Sequence, residues 1–233
     1  MSPASKLDFA LLYAGFNSPI GALDCGDRCA PYNERGVPFC CDTRHVVPTA
    51  YLEEWRYLRA NSDLWHLWQA DDPAVTNDLR EQAPDGQVLI ECLGHTHCQR
   101  DFRSLACRSF PFFPYITSQG EFIGLSYYWE YQDRCWVISN LDVVTPAYLA
   151  EFIAAYETLF EYLPAERENF QYHSAAMREA FGNQRRAVPV LHRSGNWYRV
   201  SPHTGRKRRV EAGSLPKFDN YKIAAEMPFP DEI

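Results

Sequence analysis

The chain has 233 residues, 46% of them hydrophobic and 15% aromatic, with a formal net charge of −7. This length and composition exclude an intrinsically disordered chain and bound it to one domain, or one domain with a small appendage, able to fold without covalent staples. The acidic balance argues against non-specific nucleic-acid binding, which needs a basic face. No apolar stretch approaches the ~18–20 residues of a membrane span.

Residues 1–48 read as irregular. Four cysteines lie within 17–41 beside Gly21, Gly26, Pro31, Gly36 and Pro38. A stretch so rich in turn residues needs something beyond regular backbone hydrogen bonding to fix it, and a metal would serve. Thr49 is placed to N-cap a helix whose apolar stripe is Tyr51, Leu52, Trp55 and Leu58, ending near Ala60. Leu64, Trp65, Leu67 and Trp68 continue it or begin a second short helix. Residues 71–86 are polar, with Pro73, Pro84 and an Asp85-Gly86 turn. Residues 87–91 predict a short strand that delivers Cys92 to its end, and 93–120 read mostly as loop, broken by Pro111 and Pro114. Two strands are expected at 121–131 and 135–139.

Pro146 suits the first turn of a helix capped by Thr145, with Tyr148, Leu149, Phe152, Ile153, Tyr156, Leu159 and Phe160 at helical spacing. A second helix after Pro164 carries Phe170, Met177 and Phe181 and stops at Gly182-Asn183. Residues 187–210 predict a hairpin around Ser194-Gly195-Asn196, with a third arm after Pro202-His203-Thr204-Gly205. The basic run Arg206-Lys207-Arg208-Arg209 reads as a solvated arm, with a phosphate or RNA contact as the alternative. From Leu215 onward the chain reads as extended. The expected fold class is α+β: a small irregular cysteine-rich metal-binding core with packed helices and a short antiparallel sheet. Residues 1–233 are expected to form a single domain. Within it, 17–140 is the cysteine-cluster region and 141–233 a helical segment followed by a C-terminal β-hairpin appendage.

The eight cysteines carry most of the chemical information. They fall as Cys25-x3-Cys29-x10-Cys40-Cys41, then Cys92-x5-Cys98-x8-Cys107, with Cys135 alone. Two compact groups across a long spacer suggest thiolates gathered around a metal, with a disulfide framework as the alternative. Residues 1–8 lack a basic segment ahead of an apolar core, which leads us to expect a cytoplasmic protein with reduced or metal-bound thiols. Thiolates suit zinc, iron–sulfur clusters and copper(I). Cys25 and Cys29 have zinc-type spacing once. The wider intervals of the second group lean toward iron–sulfur, whose several irons present separate binding positions. Side chains of the adjacent pair Cys40 and Cys41 diverge in extended backbone, and Cys135 reads as a packed apolar residue. His95 and His97 flank the second group as alternative ligands.

Phe39-Cys40-Cys41, the segment Glu91 through Cys98, and Arg103-x3-Cys107-Arg108-x-Phe110-Pro111 resemble the YkgJ-type cysteine-cluster family, whose members are described as zinc- or iron-chelating. The resemblance covers roughly residues 24–115. Ser104 stands where that family usually has proline, and the interval from Cys29 to Cys40 is longer than usual. The resemblance implies metal ligands at Cys29, Cys40, Cys41, Cys92, Cys98 and Cys107, with Cys25 added. Arg103 and Arg108 are expected to contact the cofactor by donating hydrogen bonds to its sulfurs or offsetting thiolate charge; surface ion pairing is the alternative. The leading expectation is therefore a cytoplasmic metal-binding protein carrying an iron–sulfur cluster or zinc. The alternative is an iron–sulfur-dependent enzyme or redox protein, for which Glu91, Asp101, His95 and His97 are the nearest titratable groups. No Cys-x-x-Cys redox motif, phosphate-binding glycine loop or His-Glu-x-x-His motif is present.

Overall fold

The structure, a computed structural model, describes residues 6–218 and Tyr221. It is α+β, with helices and two antiparallel sheets. The chain divides into two compact units. The first comprises residues 1–17 and 26–110, the second 18–25 and 111–233. The boundary at Phe110/Pro111 falls inside the segment that the cysteines alone had marked as one region.

In the first unit, helix α1 (Phe9–Ala14) starts because the Asp8 carboxylate accepts from the Ala10 and Leu11 amides at 2.9 and 3.3 Å. Helix α2 (Cys25–Cys29) follows, its first residue belonging to the second unit. Strand β1 (Thr49–Tyr51) leads into helix α3 (Leu52–Asn61), so Thr49 pairs with Leu89 in a sheet rather than capping the helix. Glu54 takes over the capping task by accepting from the Tyr51 amide at 3.1 Å.

The expected helical continuation near Trp65 is strand β2 (Trp65–Leu67). Trp65 is buried and His66 and Leu67 face out, a run too short for its period to be read from sequence. Helix α4 (Pro73–Gln82) occupies the segment read only as polar. Its start signal was present: Asp72 accepts from the Ala74 amide at 2.8 Å ahead of Pro73 at the first helical position. Strand β3 (Gln87–Cys92) forms as expected and is the centre of a three-stranded sheet ordered β1-β3-β2. Helix α5 (Leu105–Ser109) lies within the expected loop, capped by the Ser104 hydroxyl accepting from the Cys107 amide at 3.2 Å.

The second unit is built on a five-stranded antiparallel sheet. Strand β4 (Phe112–Ile116) is buried along its whole length and contradicts the loop reading of 93–120. It contains Pro114, which a sheet tolerates at an edge, and β4 is an edge strand. Strand β5 (Phe122–Tyr127) is shorter than the 121–131 expected, and Trp129–Tyr131 is a 3-10 turn. Residues 135–139 are not a strand but a single helical turn, α6 (Trp136–Ser139), with Cys135 at its N-cap. Val137, Ile138 and Ser139 are buried in succession, which a half-buried strand cannot do.

Helices α7 (Pro146–Tyr162) and α8 (Pro164–Asn183) match the sequence reading. They join through Tyr156, Phe160 and Phe170, with ring centroids 5.4 and 6.1 Å apart. Helix α8 is pinned to the sheet where the Ile116 amide donates to Ser174 Oγ at 3.0 Å. Strands β6 (Val188–His192), β7 (Trp197–Val200) and β8 (Lys207–Val210) then extend the sheet in the order β4-β5-β6-β7-β8. The hairpin is thus continuous with the main sheet rather than an appendage. Gly124 makes the β5–β6 junction possible: a Cβ there would sit 2.0 Å from the Leu191 carbonyl oxygen. The extended reading from Leu215 lies outside the described residues beyond 218, apart from Tyr221.

Candidate metal centre

Four of the expected ligands, each from a different short segment of the first unit, lie near enough for the charge of one to act on another. Cys41 ends a 3-10 turn (Phe39–Cys41), Cys92 ends β3, Cys98 closes the 3-10 turn His95–His97, and Cys107 sits in α5. Burial raises the Cys92 thiol, and the nearby Cys41 and Cys98 raise it further. Burial also pushes Cys107 up to about 12, with Cys92 and Cys41 adding to the effect. Two groups oppose this, the Ser104 hydroxyl and the Arg103 guanidinium. At neutral pH these buried sulfurs are therefore thiols unless a cation joins them. Cys107 is only half-buried as a whole residue; its thiol lies deeper than that average.

Arg103 reaches two of these cysteines. Its Nε donates to Cys98 Sγ at 3.0 Å, and its charge acts on Cys107. Arg108 does something else. Its guanidinium donates to the carbonyls of Arg103, Phe16, Arg100 and Asp101, the Asp101 bond being 2.8 Å, and lies 4.2 Å over the Tyr13 ring. It ties separate loops together through their backbones.

The remaining expected ligands are placed otherwise. The Cys29 thiol is buried and donates to the Gly26 carbonyl at 3.7 Å, within its own helix. Cys25 belongs to the second unit, where it acts electrostatically on Tyr148. Cys40 is half-buried beside Cys41 in the same turn. Cys135, also in the second unit, occupies the N-cap position of α6 without a side-chain capping bond. His95 and His97 are exposed, and His97 Nδ1 lies 3.1 Å from Thr96 Oγ1. None of the eight cysteines is joined in a disulfide.

Sequence reasoning missed a buried carboxylate in the same unit. Glu54 is 1% exposed and accepts from Tyr13 Oη at 2.5 Å and from the Leu105 amide at 2.6 Å. Burial raises its pKa, while the Leu105 amide, the Tyr13 hydroxyl, the Tyr51 amide and Arg108 pull it down. The Leu105 bond ties it to α5, the helix that carries Cys107. Its only sequence signal was its place three residues after Tyr51, a capping position.

The donor chemistry suits a soft cation: four sulfurs that repel one another when charged, with one guanidinium beside them. The positions themselves are not those of a formed site. Among the described residues, no group of three or more His, Cys, Asp or Glu is arranged to hold a metal ion. No helix among them is long and apolar enough to cross a membrane. No family model, curated protein or solved structure matches the chain.

Proposed function

We propose that this chain is a cysteine-cluster metal-binding protein that takes an iron–sulfur cluster or zinc on Cys41, Cys92, Cys98 and Cys107. The observation that carries this reading is the electrostatic coupling of these four thiols, drawn from four segments that share no regular element. Arg103 stands beside two of them and offsets part of the negative charge that deprotonation creates. A bound zinc would supply a fixed cross-link, and a bound cluster would supply one-electron transfer. The wider intervals of the second cysteine group favour the cluster. Cys29 keeps its helix contact, and Cys25 and Cys135 stand outside the ligand set.

Metal analysis and a visible spectrum of anaerobically prepared protein test this. Iron with broad absorbance near ~400 nm identifies a cluster, and stoichiometric zinc in a colourless protein identifies a structural site. Cys92→Ser and Cys107→Ser should each lose the metal, whereas Cys25→Ser and Cys135→Ser should keep it. Anaerobic protein that holds neither metal, even after reconstitution, would refute the reading.

A further inference from the structure

The second unit contains a concentration of positive charge that the cysteine site does not explain. A pocket of about 790 Å³ is lined by Arg185, Arg186, Arg199, Arg206, Lys207 and Arg208, together with small polar and apolar residues and no acidic one. Among the described residues, none of these six cations takes part in an ion pair. The chain as a whole carries −7, so a concavity lined by six cations runs against its overall balance.

Two ordinary explanations cover only part of this arrangement. Charged side chains protect an edge strand from pairing with another chain, and β8 is the edge of its sheet. Cations also favour the C-terminal end of a helix, and Arg185 and Arg186 follow α8. Neither accounts for Arg199. It lies on β7, inside the sheet, directly opposite Arg208 on β8. Like charges facing each other across two strands destabilise the pair. Arg199 is held in place there, its Nη2 donating to the Ser214 carbonyl at 2.6 Å. Arg186 is held as well, its guanidinium 4.4 Å over Phe181 and donating to Gln132 at 3.1 Å. Two guanidiniums held in place, with further cations beside them, preorganise the concavity for an anion.

We propose that this pocket binds a small ligand through clustered phosphates, such as inorganic tripolyphosphate or the phosphate chain of a nucleoside triphosphate. The guanidinium fork matches phosphate oxygens, and several cations at one spot require several negative charges at one spot. The volume is that of a small-ligand site, about 300–1,000 Å³. A nucleic-acid strand fits less well: no aromatic side chain lines the pocket to stack a base, and the chain's net charge repels a long polyanion. The site lies wholly in the second unit and does not depend on the cysteines.

Isothermal titration of the full chain at physiological salt, with tripolyphosphate, a nucleoside triphosphate and a single-stranded RNA oligonucleotide, tests the proposal. Tripolyphosphate should bind, with an affinity that falls as salt rises. An equal affinity for the nucleotide means the phosphates alone are read, and a higher one means the nucleoside adds contacts. Arg208→Gln should weaken binding about tenfold or more. Arg209→Gln removes the same charge from the same strand outside the pocket and should change binding by no more than about twofold. Unchanged thermal melts for both variants separate binding from folding. No binding of either polyphosphate, equal losses in the two variants, or tighter binding of the RNA than of both polyphosphates would each overturn the proposal.

Discussion

His173, on α8, supplies a quantitative pH prediction. Its ring is enclosed by Phe113, Tyr128 and Trp129, with centroids 4.4, 5.0 and 5.0 Å away, and Nε2 is buried without a hydrogen-bond partner. Burial therefore favours the neutral ring and lowers its pKa from 6.5 to about 4. As pH falls below 6.5 the unfolded chain takes up this proton and the folded chain does not, so stability falls toward pH 4 and levels off below it. At about 1.4 kcal/mol for each tenfold difference in proton affinity, the loss is ~3 kcal/mol. Other groups titrate in the same window, so the measurement is a comparison of the wild type with His173→Phe by urea denaturation at a series of pH values. The wild type should lose ~3 kcal/mol more than the variant between pH 7 and pH 4. At pH 7 the variant should be at least as stable, because phenylalanine fits an aromatic enclosure and leaves no orphaned nitrogen. Parallel stability curves for the two proteins would show that the ring is solvated and refute the reasoning.

Two further predictions concern the frame around the sites. Glu54→Ala removes the acceptor for Tyr13 Oη and for the amides of Leu105 and Tyr51, and should cost ~3 kcal/mol or more in urea denaturation, while Glu54→Gln keeps an acceptor oxygen and should lose less. Gly124→Ala forces a Cβ against the Leu191 carbonyl at 2.0 Å and should cost about 2–4 kcal/mol, with loss of amide protection concentrated in β5 and β6. An alanine variant as stable as the wild type would mean that the two strands can separate without loss.

The legible parts of this fold were those where period and capping agree over many residues. Thr145 does cap α7, accepting from the Tyr148 amide at 3.2 Å, and the buried stripe from Tyr148 to Phe160 is the one read from spacing. The strand ending at Cys92 was legible from its short apolar run after the Asp85-Gly86 turn. Short elements were not. Three-residue β2 carries only one and a half periods of alternation, and β4 hides its strand behind a proline that only its edge position permits. At the candidate site, the chemistry was legible and the grouping only in part. Spacing marked seven cysteines, but Cys25 and Cys29 open and close one short helix, and the thiol of the second donates to the carbonyl of Gly26. Spacing along the chain carries no information about which thiols a fold turns toward one another. Arg103 and Arg108 stood equal in the sequence. One meets a sulfur and the other meets carbonyls, because Arg108 stands beside loop ends whose backbone acceptors would otherwise lack a donor.

That last difference changes what a metal would have to do here. The turn-rich segments of the first unit suggested a fold that needs a metal to set its loops. The structure supplies another means. Asp42, buried, accepts from Arg44 Nη2 at 2.8 Å, from the Arg44 amide at 3.1 Å and from Asn33 at 3.1 Å, which closes the stretch from 33 to 44 on itself. The Arg44 guanidinium holds the Asp42 carboxyl well below the usual carboxylate range, so this closure persists across neutral pH. Arg108 does the equivalent work for 100–103 and 16–17, and Glu54 for the start of α5. Charged side chains with several hydrogen bonds each can fix irregular backbone as a metal does, because each bond satisfies a polar group that would otherwise be left unpaired. Segment 93–99, exposed except at Gly94 and carrying Cys98, is held by single side-chain bonds, Ser62 Oγ donating to Gln99 Oε1 at 3.3 Å and Arg103 Nε to Cys98 Sγ at 3.0 Å. A metal on the four cysteines would therefore act on a frame already set by Asp42, Glu54 and Arg108. Its ordering effect would fall on the exposed loop that carries Cys98, where Arg103 already reaches a sulfur.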